Sequence, residues 1–230
     1  MMKTITVGLI LLGLAASPNA FGVDKAELDA RIRTLTGKFD VMQQMPDKKI
    51  PVESLSKAQG IVLLERTKAG FIFAYEGGNG VALLKDPKTD KWSPVAFVSA
   101  NEASLGFQVG GQKSFIVILL MNTNAIRMLT DSHFEFGGEA RGTAGDSSAG
   151  EQGTISANDI PVLVYADRKG LYGGVAIKGD ALTADNNANR AYYDQFMTMK
   201  DILVDKKVKP TEAATQLAAK LTQYSKVAEK

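Results

Sequence analysis

Glycines set inside apolar runs constrain this chain more than any other feature of its sequence. Two phrases carry them: WSPVAFVSANEASLGFQVGGQ, from Trp92 to Gln112, and DRKGLYGGVAIKG, from Asp167 to Gly179. A glycine within a strand marks a bulge, a tight bend or the close approach of another backbone. Gly106, Gly110, Gly111, Gly170, Gly173 and Gly174 therefore predict a strongly curved, close-packed sheet. Neither phrase gathers candidate catalytic groups, so the sequence speaks to architecture before chemistry.

Helical periodicity brackets the strands. Leu28, Ile32, Leu35, Phe39 and Met42 fall at spacings of 4, 3, 4 and 3, one stripe of a helix over Asp24–Met45. Asp24 suits its cap, with Glu27 three residues on as in a capping box, and Pro46 ends it. A short helix is expected from Pro51 to Gln59, closed by Gly60. Strands are expected at Ile61–Arg66, Gly70–Tyr75 and Gly80–Lys85, with EGGNG (Glu76–Gly80) as the hairpin turn between the last two. Val95–Ser99, Leu105–Val109 and Ser114–Met121 continue the pattern. The wholly apolar Phe115–Met121 reads as a central strand buried on both faces. A short helix at Asn122–Leu129, a strand at His133–Ala140 and a loop at Gly142–Asn158 follow. Strands resume at Pro161–Ala166 and Leu171–Ile177, and helices are expected over Asn187–Met199 and from Pro210 onward.

The fold class expected from this order is α+β: a mainly antiparallel, strongly curved sheet or partial barrel flanked by N-terminal and C-terminal helices. One domain is expected over 23–230, with N-terminal helices at 24–59, a β-rich core at 60–180 and C-terminal helices at 187–228.

Residues 1–22 read as a signal peptide. Lys3 is followed by an apolar stretch from Ile5 to Ala16, and Ala20-Phe21-Gly22 places small residues for cleavage before Val23; cleavage after Ala20 is the alternative. At about 12 residues the stretch is short for a membrane span of roughly 20. Removal of Lys3 with the leader takes 27 basic residues to 26 against 25 acidic ones, a net charge of +1. That balance argues against a nucleic-acid partner, and any attraction to an anionic surface must come from local clustering. With no cysteine the chain offers no lipid attachment, disulfide or thiolate metal site.

Catalytic candidates are few. His133 is the single histidine, which excludes a multi-histidine zinc site. Glu76, Glu135, Glu139, Asp146 and Asp180 supply carboxylates, and Glu135 and Glu139 share one side of a strand, but even spacing also fits a half-exposed sheet. The phrase Gly77-Gly78-Asn79-Gly80 lacks the Lys-Ser/Thr ending of a phosphate loop. No cofactor or metal is expected. Trp92, beside Pro94, is either an interfacial anchor or a packed edge residue, and Lys48-Lys49 and Lys206-Lys207 are the densest basic pairs.

Five phrases in order also carry a resemblance: KAQGIVLLERTKAGFIFAYEGGNGVALLKD from Lys57, WSPVAFVS from Trp92, GFQVGGQ from Gly106, DRKGLYGGVAIKGDAL from Asp167 and ANRAYYDQ from Ala188. Together they resemble the SYLF family of lipid-binding proteins, and the chain looks like an exported bacterial member. The motif positions are Gly70, Trp92, Gly106, Gly110, Gly111, Gly170, Gly173 and Gly174. Many relatives carry a Pro and an Arg in the stretch matching Gly142–Asn158, and this chain has neither there. The resemblance implies a non-enzymatic protein that binds lipid or a membrane surface, here periplasmic or secreted, with anionic phospholipid or another amphiphile as partner. The alternative is an envelope protein-interaction module without lipid, and a carboxylate-dependent hydrolase is the remote one. The basic residues expected to meet lipid are Lys25, Arg31, Arg33 and Lys38 on the first helix and Lys48 and Lys49 after it. The apolar stripe of that helix is either core or membrane-facing, and core packing is the stronger reading, because so wide an exposed apolar face is a liability in water.

Overall fold

The structure, a computed structural model, describes residues 23–69, 75–101, 113–130, 140–142, 162–167, 170–171, 175–177 and 182–226. The helices are α1 (Lys25–Gln44), α2 (Val52–Lys57), α3 (Thr123–Thr130), α4 (Asn186–Tyr193), α5 (Met199–Leu203) and α6 (Glu212–Ser225). The strands are β1 (Gly60–Ala69), β2 (Tyr75–Leu84), β3 (Ala96–Asn101), β4 (Lys113–Leu120), β5 (Ala140–Gly142), β6 (Val162–Ala166), β7 (Gly170–Leu171), β8 (Val175–Ile177) and β9 (Leu182–Ala184). Among the described residues they form one sheet in the order β8-β5-β6-β4-β1-β2-β3-β9, with β7 on β6, and the path does not close. Every pairing is antiparallel except β5 with β6. The fold is α+β, as expected.

Strand alternation builds a core on each face of the sheet. Val62, Leu64, Ala82, Ile116, Ile118 and Leu120 point to one face, where Ala125 and Leu129 of α3 and Met199, Ile202 and Leu203 of α5 cover them. Ile61, Leu63, Val81, Leu83, Val117 and Leu119 point to the other, beneath α1, α2, α4 and α6. Strands covered on both faces need unbroken apolar runs, which is why β4 reads Phe115 to Leu120 without a polar residue. The stripe of α1 belongs to the second core: Leu28, Ile32, Leu35 and Phe39 are 0 % exposed and Met42 is 1 % exposed.

Several expectations are corrected. EGGNG is not a turn. Gly77, Gly78, Asn79 and Gly80 lie inside β2, opposite Thr67, Arg66, Glu65 and Leu64 of β1. A Cβ on Gly80 would collide with the backbone carbonyl oxygen of Leu63, so the glycine is there for close approach of the strands. The helix expected over Asn187–Met199 divides in two, because Asp194 turns left-handed at φ 55° after Tyr193. Leu171–Ile177 is two short strands with different partners, β7 on β6 and β8 on β5. Strand β9, on the outer edge of β3, was not expected at all. Asp24 caps α1 by accepting from the Ala26 N–H, whereas a reciprocal capping box forms at α5 between Thr198 and Asp201. The expected strand at Leu105–Val109, nearly all of His133–Ala140 and of the Gly142–Asn158 loop, and the leader lie outside the described residues.

Candidate functional site

The basic residues predicted on α1 do not form one patch. A helix of 20 residues spans about 30 Å, so Lys25 in its first turn is far from Lys48 and Lys49 beyond its end. Two of the predicted cations tie the helix to the sheet. Lys38 lies 2.9 Å from Glu65 of β1. Arg31 lies 3.8 Å from Asp185 and 5.9 Å from the centre of the Phe97 ring. Lys48 is half-buried, and Lys49 is exposed, as are Val41 and Met45.

The opposite flank of α1 faces α6 and α4 through two carboxylates. Asp40 accepts from Lys220 at 2.8 Å and from the Tyr224 hydroxyl at 2.6 Å. These two donors hold its carboxyl below the ordinary value of 3.8, that of Lys220 counting most, and the same contact raises the Lys220 ammonium. Asp29 accepts from Tyr192 at 2.6 Å and from Thr211 at 3.2 Å, and the Tyr192 and Thr211 hydroxyls bond each other. Burial, then the Asp29 contact, pushes the Tyr192 phenol well above its usual range. Burial does the same to Tyr193, whose hydroxyl donates to the Val95 carbonyl at 2.5 Å.

Beside this network is an open cleft of about 480 Å³. Lys25 enters it from α1, Tyr192 and Tyr193 from α4, and Lys207, Lys209 and Thr211 from the segment leading into α6. The two tyrosine rings meet edge to face at 5.0 Å, and the Lys25 ammonium stands 5.6 Å from the Tyr192 ring centre. Lys207 is held by Asp201 at 2.5 Å and Asp205 at 3.6 Å. Among the described residues, Lys25, Arg33 and Lys209 have no carboxylate within ion-pair distance. The cleft therefore offers ammonium charge and two aromatic rings, while its hydroxyls are committed to Asp29 and the Val95 carbonyl. Among the described residues no group of three or more His, Asp or Glu is placed to ligate a metal ion.

The α4 helix is set by Asn189, a buried residue the sequence did not single out. Its side chain accepts from the Phe97 N–H at 2.8 Å and donates to the Phe97 carbonyl at 3.0 Å. Trp92 is a packed edge residue: it bridges to Lys85 beyond β2, lies against the second core, and has the Lys85 ammonium 5.8 Å from its ring. Gly170 opens β7 opposite Ala166. Gly70, Gly106, Gly110, Gly111, Gly173 and Gly174 lie outside the described residues, as do His133, Glu135, Glu139, Asp146 and Asp180. Of the predicted lipid-contacting residues only Lys25 lines the cleft. Of its other cations, Lys207 was in view in the Lys206-Lys207 pair, but a basic pair alone does not separate a site from a solvated surface, and Lys209 was not singled out.

Residues 101–224 match the family described as "Ysc84: Las17-binding protein actin regulator". The human "SH3 domain-containing YSC84-like protein 1" is 29 % identical over 170 residues, covering 73 % of this chain and 49 % of that protein. Its Xenopus laevis counterpart is 30 % identical over 171 residues, with 73 % and 51 % covered. The "LAS seventeen-binding protein 3" of Saccharomyces cerevisiae is 30 % identical over 177 residues, with 74 % and 38 % covered. The chain thus spans about half the length of the curated relatives it matches, or less. No solved structure matches it. Tyr192, Tyr193, Lys207, Lys209 and Thr211 fall inside the matched span, and Lys25 falls before it.

Proposed function

We propose that this chain, which belongs to the Ysc84 (SYLF) family, is a non-enzymatic module that docks on anionic lipid or another amphiphile after export to the bacterial envelope. The observation that supports the reading is the lysine-rimmed cleft, with Lys25 and Lys209 lining it; Arg33 lies two turns along α1 from Lys25, and among the described residues none of the three cations has a carboxylate within ion-pair distance. The stripe of α1 cannot enter a bilayer while it fills the core, so the attraction rests on these cations rather than on insertion of that helix. No described helix is long and apolar enough to cross a membrane. Export rests on the leader-like residues 1–22.

A second reading, an envelope protein as partner, is favoured by the names of the family and of the yeast relative, both of which state binding to Las17.

The test is vesicle co-sedimentation with mature protein recovered from the periplasm, its intact mass placing the first residue at Val23. Each basic residue near an anionic surface contributes roughly 1 kcal/mol, so Lys25→Gln, Arg33→Gln and Lys209→Gln together weaken binding to phosphatidylglycerol vesicles by about two decades. Lys38→Gln, Lys48→Gln and Lys49→Gln together weaken it less, because Lys38 is spent on Glu65. Raised salt mimics the first set. Failure of the unmodified mature chain to sediment with any vesicle at low salt refutes the lipid reading and leaves the protein partner. Recovery only of a full-length cytoplasmic chain refutes export.

A further inference from the structure

Among the described residues Phe196 is the most exposed large apolar side chain, at 70 %. Its exposure is built in. Asp194 ends α4 in the left-handed conformation, and Tyr193 just before it is tied to Val95. On the other side Met197 and Met199 are buried, and the Thr198–Asp201 capping box fixes the start of α5. With both ends of the turn anchored, Gln195 and Phe196 have no route inward. Asp194 and Gln195 line the cleft, so Phe196 stands one residue, about 3.8 Å along the chain, from its wall. Lys25 and Lys209 border the same cleft, and the exposed Lys200 follows four residues after Phe196.

We propose that Phe196 is the interfacial anchor of a membrane-docking face made by the α4–α5 turn and the cleft, with an anionic bilayer as its occupant. The inference rests on the lipid reading above and adds which face meets the membrane. An exposed aromatic side chain one residue from the wall of a lysine-lined cleft matches the boundary of a bilayer: the ring enters the headgroup–acyl boundary while the lysines meet phosphates. Charge selects the occupant, since the lysines outnumber Asp194, the one carboxylate lining the cleft.

The experiment uses the mature chain with phosphatidylglycerol/phosphatidylcholine vesicles. Phe196→Ser weakens binding about ten- to a hundredfold, as expected for losing most of the burial of one large apolar side chain. Unlike the loss from the lysine variants, this loss persists when salt is raised. Phe196→Trp keeps binding, and its fluorescence is quenched by lipids brominated along the acyl chain beyond the signal of Trp92, the single tryptophan of the natural chain. Both variants melt within about 1–2 °C of the parent, because the side chain packs against little. If the parent binds and Phe196→Ser binds equally well, or Phe196→Trp shows no quenching beyond that of Trp92, the anchor is refuted while the lipid reading stands. If the parent binds no vesicle, both fall. A Phe196→Ser variant that loses an envelope protein but not vesicles reassigns the face to a protein and overturns the proposal.

Discussion

Replacing Asn189 tests how α4, and with it the tyrosine wall of the cleft, is fixed to the sheet. Strand β9 pairs with β3 from Val98 to Ala100, and the Asp185 N–H reaches the Phe97 carbonyl at 3.0 Å before the chain turns into α4. The Phe97 N–H would then lack a partner at a residue that is 0 % exposed, and the Asn189 carboxamide supplies it at 2.8 Å. In Asn189→Ala the Phe97 carbonyl keeps its bond from Asp185, but the N–H is orphaned. A buried unsatisfied donor costs about 1–3 kcal/mol, and the vacated volume adds about 1 kcal/mol, a total of about 2–4 kcal/mol. For a chain of this size that lowers Tm by roughly 5–15 °C, and the urea midpoint falls with the slope unchanged. Asn189→Asp is the diagnostic companion. Its carboxylate still accepts from the Phe97 N–H but faces the carbonyl, and burial raises its pKa in the folded state. The folded chain then holds the proton more tightly than the unfolded one, so stability is nearly that of the parent in acid and falls as pH rises through the raised value. A loss below about 0.5 kcal/mol for Asn189→Ala, or no pH dependence for Asn189→Asp, refutes the reasoning.

Much of the fold was legible because burial on two faces leaves a plain signature. Phe115–Met121 read as a central strand, and β4 does lie between β1 and β6. The α1 stripe was equally plain as a stripe, but periodicity says only that one face is apolar, not what covers it. The sheet decides that, through Ile61, Leu63, Val81 and Leu83. EGGNG misled because glycine serves both turns and close strand approach, and composition does not separate the two; the Leu63 backbone does. The break at Asp194 was hidden because apolar residues continue past it to Met197 and Met199, which pack on the other face of the sheet. Strand β9 has three residues and depends on β3 for its identity, so no local pattern announces it.

The cleft was less legible than the fold for a related reason. Its wall is drawn from Lys25, from Ala191–Gln195 and from Lys207–Thr211, segments brought together only by the packing of α1, α4 and α6. In sequence, Lys25 and Lys38 look equivalent. In space one borders a cleft and the other neutralises Glu65. Charge counting along a helix therefore finds the cations but not which remain available to a partner.

Two glycines should respond to alanine with opposite signs. At Gly37, exposed on α1, a Cβ meets nothing within 4 Å, so Gly37→Ala stabilises by about 0.5–1 kcal/mol through helix propensity. Gly80→Ala destabilises by about 1–3 kcal/mol, since β1 must move; urea melts showing the same sign for both would refute the close-approach argument. Asp40 tests the contact between α1 and α6. Its folded carboxyl lies below the ordinary 3.8, so its contribution is present above that value and is lost as pH falls through the lower, folded one. Its side chain is 25 % exposed and its ion pair partly solvated, so Asp40→Asn costs about 0.5–1 kcal/mol at pH 7. The variant should also have a shallower acid limb, with the two stability curves converging below the folded value. A gap that stays constant from neutrality to about pH 2 would show that the carboxamide lost packing rather than charge, and that the Lys220 and Tyr224 contacts are not what lowers the Asp40 carboxyl.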